Sequence, residues 1–246
     1  MSRQMALFHF YGELRDFFPD PATEFPLHYG FDGNPSVKDA IEAIGVPHTE
    51  VDTIVVNGIS VGFGYHMKDG DEVSVYPVSV SLSVSSKVSL RGEPSPRFIV
   101  DVNLGKLARL LRMLGFDAEY RNDYTDHEVA GLAEKDGRIV LSRDRRLLRF
   151  KAIVHGYWLR SDNPRMQIRE VLSRFRLYTQ IKPFNRCLKC NGVIVSVEKE
   201  KILKKLESKT ILYFDDFFVC ADCGNIYWKG SHYDQMNETP ENLKDS

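Results

Sequence analysis

The sequence lacks any apolar run long enough to cross a membrane. None of its 246 residues falls in an uninterrupted apolar stretch of the roughly 20 residues that a spanning helix needs. The first ten residues also lack a basic region followed by a long apolar segment, which is the pattern of a secretory signal. We therefore expect a protein that has no membrane partner.

Cysteine is scarce, and net charge is almost absent. The four cysteines form two Cys-x-x-Cys pairs, a pattern that favours metal binding in a reducing cytoplasm over a disulfide framework. The 33 Lys and Arg residues nearly balance the 34 Asp and Glu residues, but positive charge is concentrated in 106–112 and 138–151. Such local patches, rather than total charge, attract phosphates. We expect a cytoplasmic protein.

Residues 1–78 are predicted to form a small α/β domain. The pattern indicates two strands, a helix opened by Asn34-Pro35, a hairpin turning at Asn57-Gly58, and a last strand that alternates like an edge strand: 5–10, 25–31, 36–44, 53–61 and 72–76. Residues 79–96 are predicted to be a linker. Their Ser/Val alternation has the period of a strand, but Gly92, Pro94 and Pro96 indicate a connection.

The end of this first domain contains "VNG" at 56–58 and "KDGDEVSVYP" at 68–77. These segments resemble the end of the ubiquitin-like, β-grasp sulfur carriers. The carriers end in a Gly-Gly tail that is adenylated and loaded with sulfur, whereas here Val-Ser-Val follows and the chain continues. The resemblance therefore implies a β-grasp domain used for stability or for binding a protein partner. It disfavours a sulfur-carrier fusion.

Residues 97–182 are predicted to form an α/β domain with a mostly parallel sheet flanked by helices. The apolar run Phe98–Val100 ends on Asp101, and the run 138–142 is followed by Asp144. Thr125 and Glu128 fit a capping box, which places Asp126 in the first turn of a helix. The pattern also predicts a helix over 104–114, a strand over 153–159 and a helix that begins at Asn163-Pro164. The resulting alternation of strands and helices is typical of parallel sheets.

The three aspartates are expected to converge, because sites in such sheets form beyond the carboxyl ends of the strands. Clustered carboxylates bind hard cations such as Mg²⁺ or Mn²⁺, which can activate water and neutralise a phosphate. Spacing alone leaves other interpretations open. Asp101 could instead form a turn at the end of its strand, and Asp126 could be an acid favoured by the helix dipole in the first turn. Asp144 could form an ion pair with Arg143 or Arg145.

Three segments resemble the Mut-seven C-terminal RNase family, a branch of the PIN-like nucleases: "FIVDVNLGKLARLLRML" at 98–114, 125–133, and "IVLSRDRRLL" at 139–148. The resemblance implies that Asp101, Asp126 and Asp144 are catalytic and hold Mg²⁺ or Mn²⁺ for RNA hydrolysis. Many PIN-like nucleases have a fourth acid, for which the candidates here are Asp123, Glu128 and Asp162. Asp162 fits a helix cap equally well, so the sequence leaves undecided whether the acids form a complete two-metal site.

Basic residues near the acids are candidates for binding substrate. Lys106, Arg109 and Arg112 recur every three residues on the polar side of the predicted helix. This stripe fits a solvated face, and it also fits phosphate contacts that position RNA without reading its sequence. Arg143 is expected to orient Asp144 or to touch the scissile phosphate.

Residues 183–236 are predicted to form a zinc ribbon. Cys187, Cys190, Cys220 and Cys223 offer four thiolates to one tetrahedral Zn²⁺, and such a closed shell indicates a structural ion that contributes folding energy. Two pairs together disfavour a redox role. The 29 residues between the pairs exceed the usual spacing of about 15–20, which indicates an insertion around 198–209.

The flanks "RCLKCNG" at 186–192 and "YWKGSHYDQM" at 227–236 resemble the ribbon of the same nuclease family. Four side chains there suit either stacking on unpaired bases or packing against the ribbon or the sheet: Tyr227, Trp228, His232 and Tyr233. A catalytic-base role for His232 is the least favoured interpretation. Residues 237–246 are polar and are predicted to be a disordered tail.

Two functions follow from these patterns. The first is a cytoplasmic, Mg²⁺- or Mn²⁺-dependent ribonuclease with a structural zinc. The second is a non-catalytic RNA-binding or regulatory protein whose PIN-like site has decayed.

Overall fold

The computed structural model describes residues 3–20, 23–78, 80 and 87–228. Several sequence predictions lie outside these residues: the central part of the Ser/Val alternation at 81–86, His232, Tyr233 and the tail 237–246. Among the helices of the described residues, none has the length and apolar character of a membrane span.

The described strands follow one another along the chain as β1 Gln4–Phe10, β2 Leu27–Phe31, β3 Thr53–Val56, β4 Ile59–Val61, β5 Glu72–Tyr76, β6 Arg97–Val100, β7 Asp117–Glu119, β8 Ile139–Ser142, β9 Gly156–Trp158, β10 Ile194–Val197, β11 Phe217–Cys220 and β12 Ile226–Trp228. The α-helices are α1 Val37–Ile44, α2 Gly105–Met113, α3 Asp126–Asp136, α4 Pro164–Arg174, α5 Lys199–Ile202 and α6 Ser208–Tyr213.

The chain divides into two compact units, which are described separately. The first contains Met1–Pro94 together with Ala133–Trp158, and the second contains Ser95–Leu132 together with Leu159–Ser246. The domain boundaries expected from the sequence, at 78, 96, 182 and 236, stay predictions.

The first unit contains a five-stranded β-grasp sheet of order β2-β1-β5-β3-β4. β1 and β5 are parallel neighbours in its centre, and the other pairs are antiparallel. The prediction of an edge strand over 72–76 was wrong, because β5 lies between β1 and β3. Its Val73 and Val75 are fully buried, so the alternation reflects a sheet with one buried face rather than a sheet edge.

Local signals in the β-grasp sheet gave one correct and one wrong prediction. Asn57 and Gly58 have φ angles of 50° and 82°, as the predicted primed turn between β3 and β4 requires. Helix α1 is capped by Ser36 rather than by Asn34-Pro35. The Ser36 hydroxyl accepts a 3.1 Å hydrogen bond from the Asp39 amide, whose carboxylate in turn accepts from the Ser36 amide, forming a capping box.

The first unit also contains the parallel pair β8 and β9. Val140 lies opposite Gly156, and Leu141 lies opposite Tyr157. All four residues of β8 are buried, as its continuous apolar run predicts. β9 is shorter than the strand expected over 153–159.

The second unit contains the parallel pair β6 and β7, with Arg97 opposite Asp117 and Ile99 opposite Glu119. Helix α2 packs against α4 and β7. Helix α4 begins after Asn163, whose side chain accepts a 2.9 Å hydrogen bond from the Arg165 amide. The cap is therefore Asn163 rather than Asp162.

The second unit ends in an antiparallel sheet of order β10-β11-β12, with Ile194 opposite Cys220 and Phe218 opposite Tyr227. Helices α5 and α6 lie in the segment between β10 and β11, where the sequence predicts an insertion. The predicted fold class is confirmed: parallel strands flanked by helices, with a β-grasp sheet before them and a cysteine-bearing ribbon after them.

Candidate active site and metal centre

Asp101 lies directly beyond the carboxyl end of β6. The strand brings Phe98, Ile99 and Val100 into the core, each fully buried, and the next residue turns out of it. Only 8% of Asp101 is exposed. Its Oδ1 atom accepts a 2.7 Å hydrogen bond from the Val102 amide at the start of a short 3₁₀ turn. The carboxylate is thus held at the strand end, as the sequence predicts.

Asp126 lies in the first turn of α3, in the same compact unit as Asp101. The predicted capping box is present. The Thr125 amide donates to Glu128 Oε2 at 2.7 Å, and the Glu128 amide donates to Thr125 Oγ1 at 3.3 Å. These two side chains accept the hydrogen bonds of backbone amides at the start of α3. The exposed carboxylate of Asp126 is therefore not needed as a cap.

Asp144 follows β8 in the other compact unit. Its amide donates a 2.8 Å hydrogen bond to Oγ of the buried Ser142, and its Oδ1 atom accepts a 2.7 Å bond from the Arg146 amide. The Asp144 side chain is exposed. A tight turn, fixed at both sides by side-chain to backbone bonds, therefore presents this carboxylate to solvent.

Convergence of the three acids on one cation stays a prediction, because Asp101 and Asp126 belong to one compact unit and Asp144 to the other. Within the described residues, the potential metal ligands that all lie within 4.8 Å of one another are the four cysteine sulfur atoms.

Two candidates for the fourth acid are engaged locally. Asp123 pairs with Arg121 at 2.6 Å, and the Arg121 hydrogen bond lowers the pKa of the Asp123 carboxyl. Glu128 closes the capping box, where the hydrogen bonds from Thr125 lower its pKa. Asp162 is exposed just before the cap of α4. The structure therefore favours neither Asp123 nor Glu128 as a metal ligand.

An open groove in the second unit brings together two of the predicted substrate-binding residues. Lys106 and Arg109 of α2 line it with Arg165 at the start of α4, alongside Leu110 and Met113. All three cationic side chains are exposed. Arg165 was missed by the sequence reasoning, because it lies some sixty residues from the α2 stripe. The groove combines positive charge with an apolar floor.

Arg112 does not belong to the exposed stripe expected from its spacing. It is 5% exposed and donates hydrogen bonds to three carbonyl oxygens, at 2.8 Å to Ala118, 3.4 Å to Leu188 and 3.2 Å to Lys189. Burial lowers the pKa of its guanidinium group. Both interpretations of the stripe, a solvated face and a phosphate contact, are wrong for this residue, which connects α2 to the first cysteine turn.

The four cysteines lie close together, as the predicted zinc site requires. Cys187 Sγ lies 3.6 Å from Cys223 Sγ, and Cys190 Sγ lies 3.5 Å from Cys220 Sγ. These separations approach those of a tetrahedral zinc shell, since Zn–S bonds of about 2.3 Å place the sulfur atoms a little under 4 Å apart. A Cβ atom at Gly192 would lie 2.9 Å from Cys220 Sγ, so this glycine leaves space for the cluster. The residues therefore fit a zinc ion.

The sulfur atoms sit in unequal environments. Burial alone would raise the pKa of Cys187, but hydrogen bonds from the Tyr227 hydroxyl and from the Cys190 and Lys189 amides lower it to about 6. Burial raises the pKa of Cys190 to about 12, helped by the neighbouring sulfur atoms. Four thiolates therefore need a cation to coexist here.

The ribbon is attached to β7 by residues that sequence reasoning did not single out as a contact. Asn191 has a left-handed φ of 67°, and its side chain accepts from the Ala118 amide at 3.0 Å while donating to Asp117 at 2.7 Å. Arg186 pairs with the same aspartate at 3.5 Å. In the sequence, Asn191-Gly192 is typical of a tight turn, and this local pattern does not indicate a contact with β7.

The packing interpretation is confirmed for Tyr227, whose hydroxyl lies 3.0 Å from Cys187 Sγ and accepts a hydrogen bond from the Leu188 amide at 3.1 Å. Trp228 is 37% exposed, and its ring centroid lies 6.3 Å from that of Phe214 and 6.5 Å from that of Phe217.

Comparison with known protein families identifies both parts of the chain. The family model described as Mut7-C RNAse domain matches residues 96–240, and the model described as Mut7-C ubiquitin matches residues 3–83. Curated proteins and solved structures gave no match. Because the first match covers more than half of the 246 residues, the chain belongs to the Mut7-C RNAse domain family, with a Mut7-C ubiquitin-like domain before the nuclease region.

Proposed function

We propose that this protein is a metal-dependent ribonuclease that hydrolyses RNA phosphodiester bonds. One observation carries the proposal: in a chain of a ribonuclease family, a buried strand of each parallel pair is followed by an aspartate, Asp101 directly after β6 and Asp144 two residues after β8. Carboxyl ends of parallel strands are where α/β folds place their sites.

Asp101, Asp126 and Asp144 would hold Mg²⁺ or Mn²⁺ in this proposal. The exposed carboxylates of Asp126 and Asp144 suit hard cations, which prefer oxygen ligands and retain several waters. Such an ion supplies an activated water and neutralises the phosphate in an in-line displacement. The protein's own contribution is to fix the carboxylates: the Val102 amide holds Asp101, and the Arg146 amide holds Asp144.

RNA would be engaged through its phosphates. Lys106 and Arg109 offer exposed positive charge in the α2–α4 groove, and Arg165 adds a third cation there. Arg143, exposed beside Asp144, would contact the scissile phosphate or orient the carboxylate. Contacts of this kind fix the position of RNA but do not read its sequence.

The zinc ion would be structural. A shell of four cysteine thiolates leaves no open position for water or substrate. The four cysteines are free of disulfide bonds, and a reducing cytoplasm would keep them available for metal. The β-grasp domain would stabilise the protein or bind a protein partner.

The competing function is RNA binding without cleavage. It is favoured by the engagement of Asp123 with Arg121 and of Glu128 with Thr125, which leaves Asp162 as the one remaining candidate of the three for a fourth acid. The two functions differ in whether added Mn²⁺ yields RNA products or only a shift in RNA mobility.

The test is Asp144→Asn assayed on labelled single-stranded RNA over a Mn²⁺ titration. We expect kcat to fall by about 100-fold or more, since loss of a metal ligand removes several kcal/mol of transition-state stabilisation. The melting temperature should be unchanged or higher, because a repulsive carboxylate has been removed. Wild-type activity in this variant would contradict the proposal.

Two matched variants complete the experiment. Asp32→Asn removes the same charge from an exposed position in the β-grasp domain and should leave cleavage unchanged. Asp162→Asn asks whether the remaining candidate is the fourth acid, in which case kcat should fall as it does for Asp144→Asn. A mobility shift without products in the wild-type protein would establish the binding function instead.

A further inference from the structure

The β-grasp sheet and residues 133–158 share one compact unit, and buried polar groups join them. The short turn after α1 carries His48, whose ring nitrogens lie 2.6 Å from Glu42 Oε1 and 2.9 Å from the Ile153 carbonyl oxygen. Both ring nitrogens therefore lie within hydrogen-bond distance of an oxygen atom. The fully buried Glu50 accepts a 2.6 Å hydrogen bond from the Trp158 amide.

Further bonds cross from one segment to the other. Arg149 donates to the Gly45 carbonyl oxygen at 2.9 Å, and Arg91 donates to the Val154 carbonyl oxygen at 3.1 Å. Buried polar groups that have hydrogen-bond partners favour one packing arrangement of the two segments, because any other arrangement would leave those groups without hydrogen bonds. The β-grasp domain is therefore fixed against β9 rather than tethered to it.

At one end of this contact, three side chains stack beside the turn that carries Asp144. The Arg145 guanidinium lies 4.1 Å from the centroid of the Trp158 ring and 4.9 Å from that of the Phe17 ring. The two rings are 4.8 Å apart, and Arg145 also donates to the Phe17 carbonyl oxygen at 3.3 Å. Phe17 belongs to the β-grasp core, against which Trp158 packs.

The residue on the other side of Asp144 is held by the same tryptophan. Trp158 Nε1 donates a 3.2 Å hydrogen bond to the Arg143 carbonyl oxygen. The turn is thus held by a hydrogen bond at residue 143 and by ring contacts at residue 145, and Asp144 lies between them. Inside the turn, the Asp144 amide bonds to Ser142 and its carboxylate to the Arg146 amide.

We propose that the ubiquitin-like domain forms part of the active-site scaffold: Phe17, acting through Arg145 and Trp158, positions the turn that presents Asp144. The proposal rests on the function assigned to Asp144 above. Phe17 and Trp158 are positioning residues, since they support the residues on either side of the carboxylate. Outer partners of metal-binding groups commonly change metal affinity or activity by about 10–100-fold when they are replaced.

Three variants of the full chain test this role. Phe17→Leu removes the ring that stacks on Arg145, and Trp158→Phe keeps a ring but removes the Nε1–H donor to Arg143. Phe31→Leu is the matched control: Phe31 is 4% exposed and Phe17 5% exposed in the same core, and the Phe31 ring stacks on Tyr29 within the sheet. All three changes cost stability by shrinking or reshaping the packing.

The first readout is amide hydrogen exchange of peptides covering 142–147, measured without RNA. We expect about 10-fold faster exchange in Phe17→Leu and Trp158→Phe, and no change in Phe31→Leu. The second readout is RNA cleavage with Mn²⁺. We expect kcat to fall about 10-fold in the first two variants, with KM for RNA within about twofold of wild type.

The outcomes separate this proposal from the function on which it rests. Equal exchange in all three variants would overturn the positioning role, and so would faster exchange with unchanged kcat. A wild-type protein that cleaves no RNA, or an active Asp144→Asn, would instead overturn the proposed function. In that case the exchange data alone decide whether the ubiquitin-like domain fixes the turn.

Discussion

The hydroxyl group of Tyr227 lies between the Leu188 amide and the Cys187 sulfur, 3.1 Å from the first and 3.0 Å from the second. Because the oxygen accepts from the amide, its proton is directed to the sulfur. This arrangement lowers the pKa of Cys187 to about 6 against the effect of burial, while burial and the adjacent sulfur raise the pKa of Tyr227 to about 12. A phenol outside the cysteine cluster thus favours the thiolate form of one of its members.

Tyr227→Phe should weaken zinc binding by about 10–100-fold, since it removes a hydrogen bond to a ligand atom. Competition with a chromophoric chelator measures this affinity. Tyr213→Phe is the control, because Tyr213 lies in the same ribbon but is 71% exposed. Equal affinities in the two variants would show that the hydroxyl does not support the metal centre.

Arg112→Met should destabilise the zinc-loaded protein by about 2–3 kcal/mol, because it leaves carbonyl oxygens of β7 and of the first cysteine turn without their donor. The free energy of urea unfolding measures the loss. Arg109→Met, an exposed change on the same helix, should stay within about 0.5 kcal/mol of wild type. Similar values for both arginines would contradict the buried connection.

Gly115→Ala should cost about 2 kcal/mol or more, because the residue has a φ of 92° and a Cβ atom there would collide with the carbonyl group of Lys182. Gly131→Ala should act in the opposite direction. Gly131 lies inside α3, and outside the backbone of its own helix no heavy atom lies within 4 Å of its Cβ position, so alanine should stabilise the helix by about 0.5–1 kcal/mol. Thermal unfolding of both variants tests the pair, and a destabilised Gly131→Ala would contradict it.

His155 should make the protein less stable in mild acid. Burial, with a smaller effect of the Arg91 charge, lowers its pKa in the folded state below the ordinary value of 6.5. The unfolded chain then binds a proton more readily, so this contribution to stability is present above pH 6.5 and is lost as the pH falls towards the folded pKa.

Urea unfolding at pH 7.5 and at pH 5.5 provides the measurement. His155→Asn should reduce the loss of stability between the two pH values. His28→Asn, at an exposed position of β2, should leave that loss unchanged. An identical pH dependence in His155→Asn and wild type would show that this histidine does not contribute.

Features whose partners lie close in the sequence could be predicted well. The capping box of Thr125 and Glu128 spans four residues, as does each cysteine pair, and the turn at Asn57-Gly58 spans two. Their geometry depends on local backbone preferences, which composition and spacing reveal. Asp101 and Asp144 were placed correctly at strand ends for the same reason.

Features built from distant residues could not be predicted. Arg112 shares the spacing of Lys106 and Arg109, yet its partner Leu188 lies 76 residues away. The Asn191 side chain accepts a hydrogen bond from Ala118 of β7, which lies 73 residues away in the sequence. Nothing in a three-residue period distinguishes a cation that faces water from one that meets a distant carbonyl group, because the difference depends on which element packs there.

Because the β-grasp sheet and residues 133–158 share one compact unit, a cut at the linker would uncover groups that are buried in the full chain. A chain that started at residue 96 would expose the indole of Trp158 and leave its amide without the Glu50 carboxylate. It would also deprive the Ile153 carbonyl oxygen of its His48 donor. A fragment cut at the linker would therefore have an uncovered apolar surface and unpaired buried polar groups, so we expect residues 133–158 to be stable only together with the β-grasp sheet.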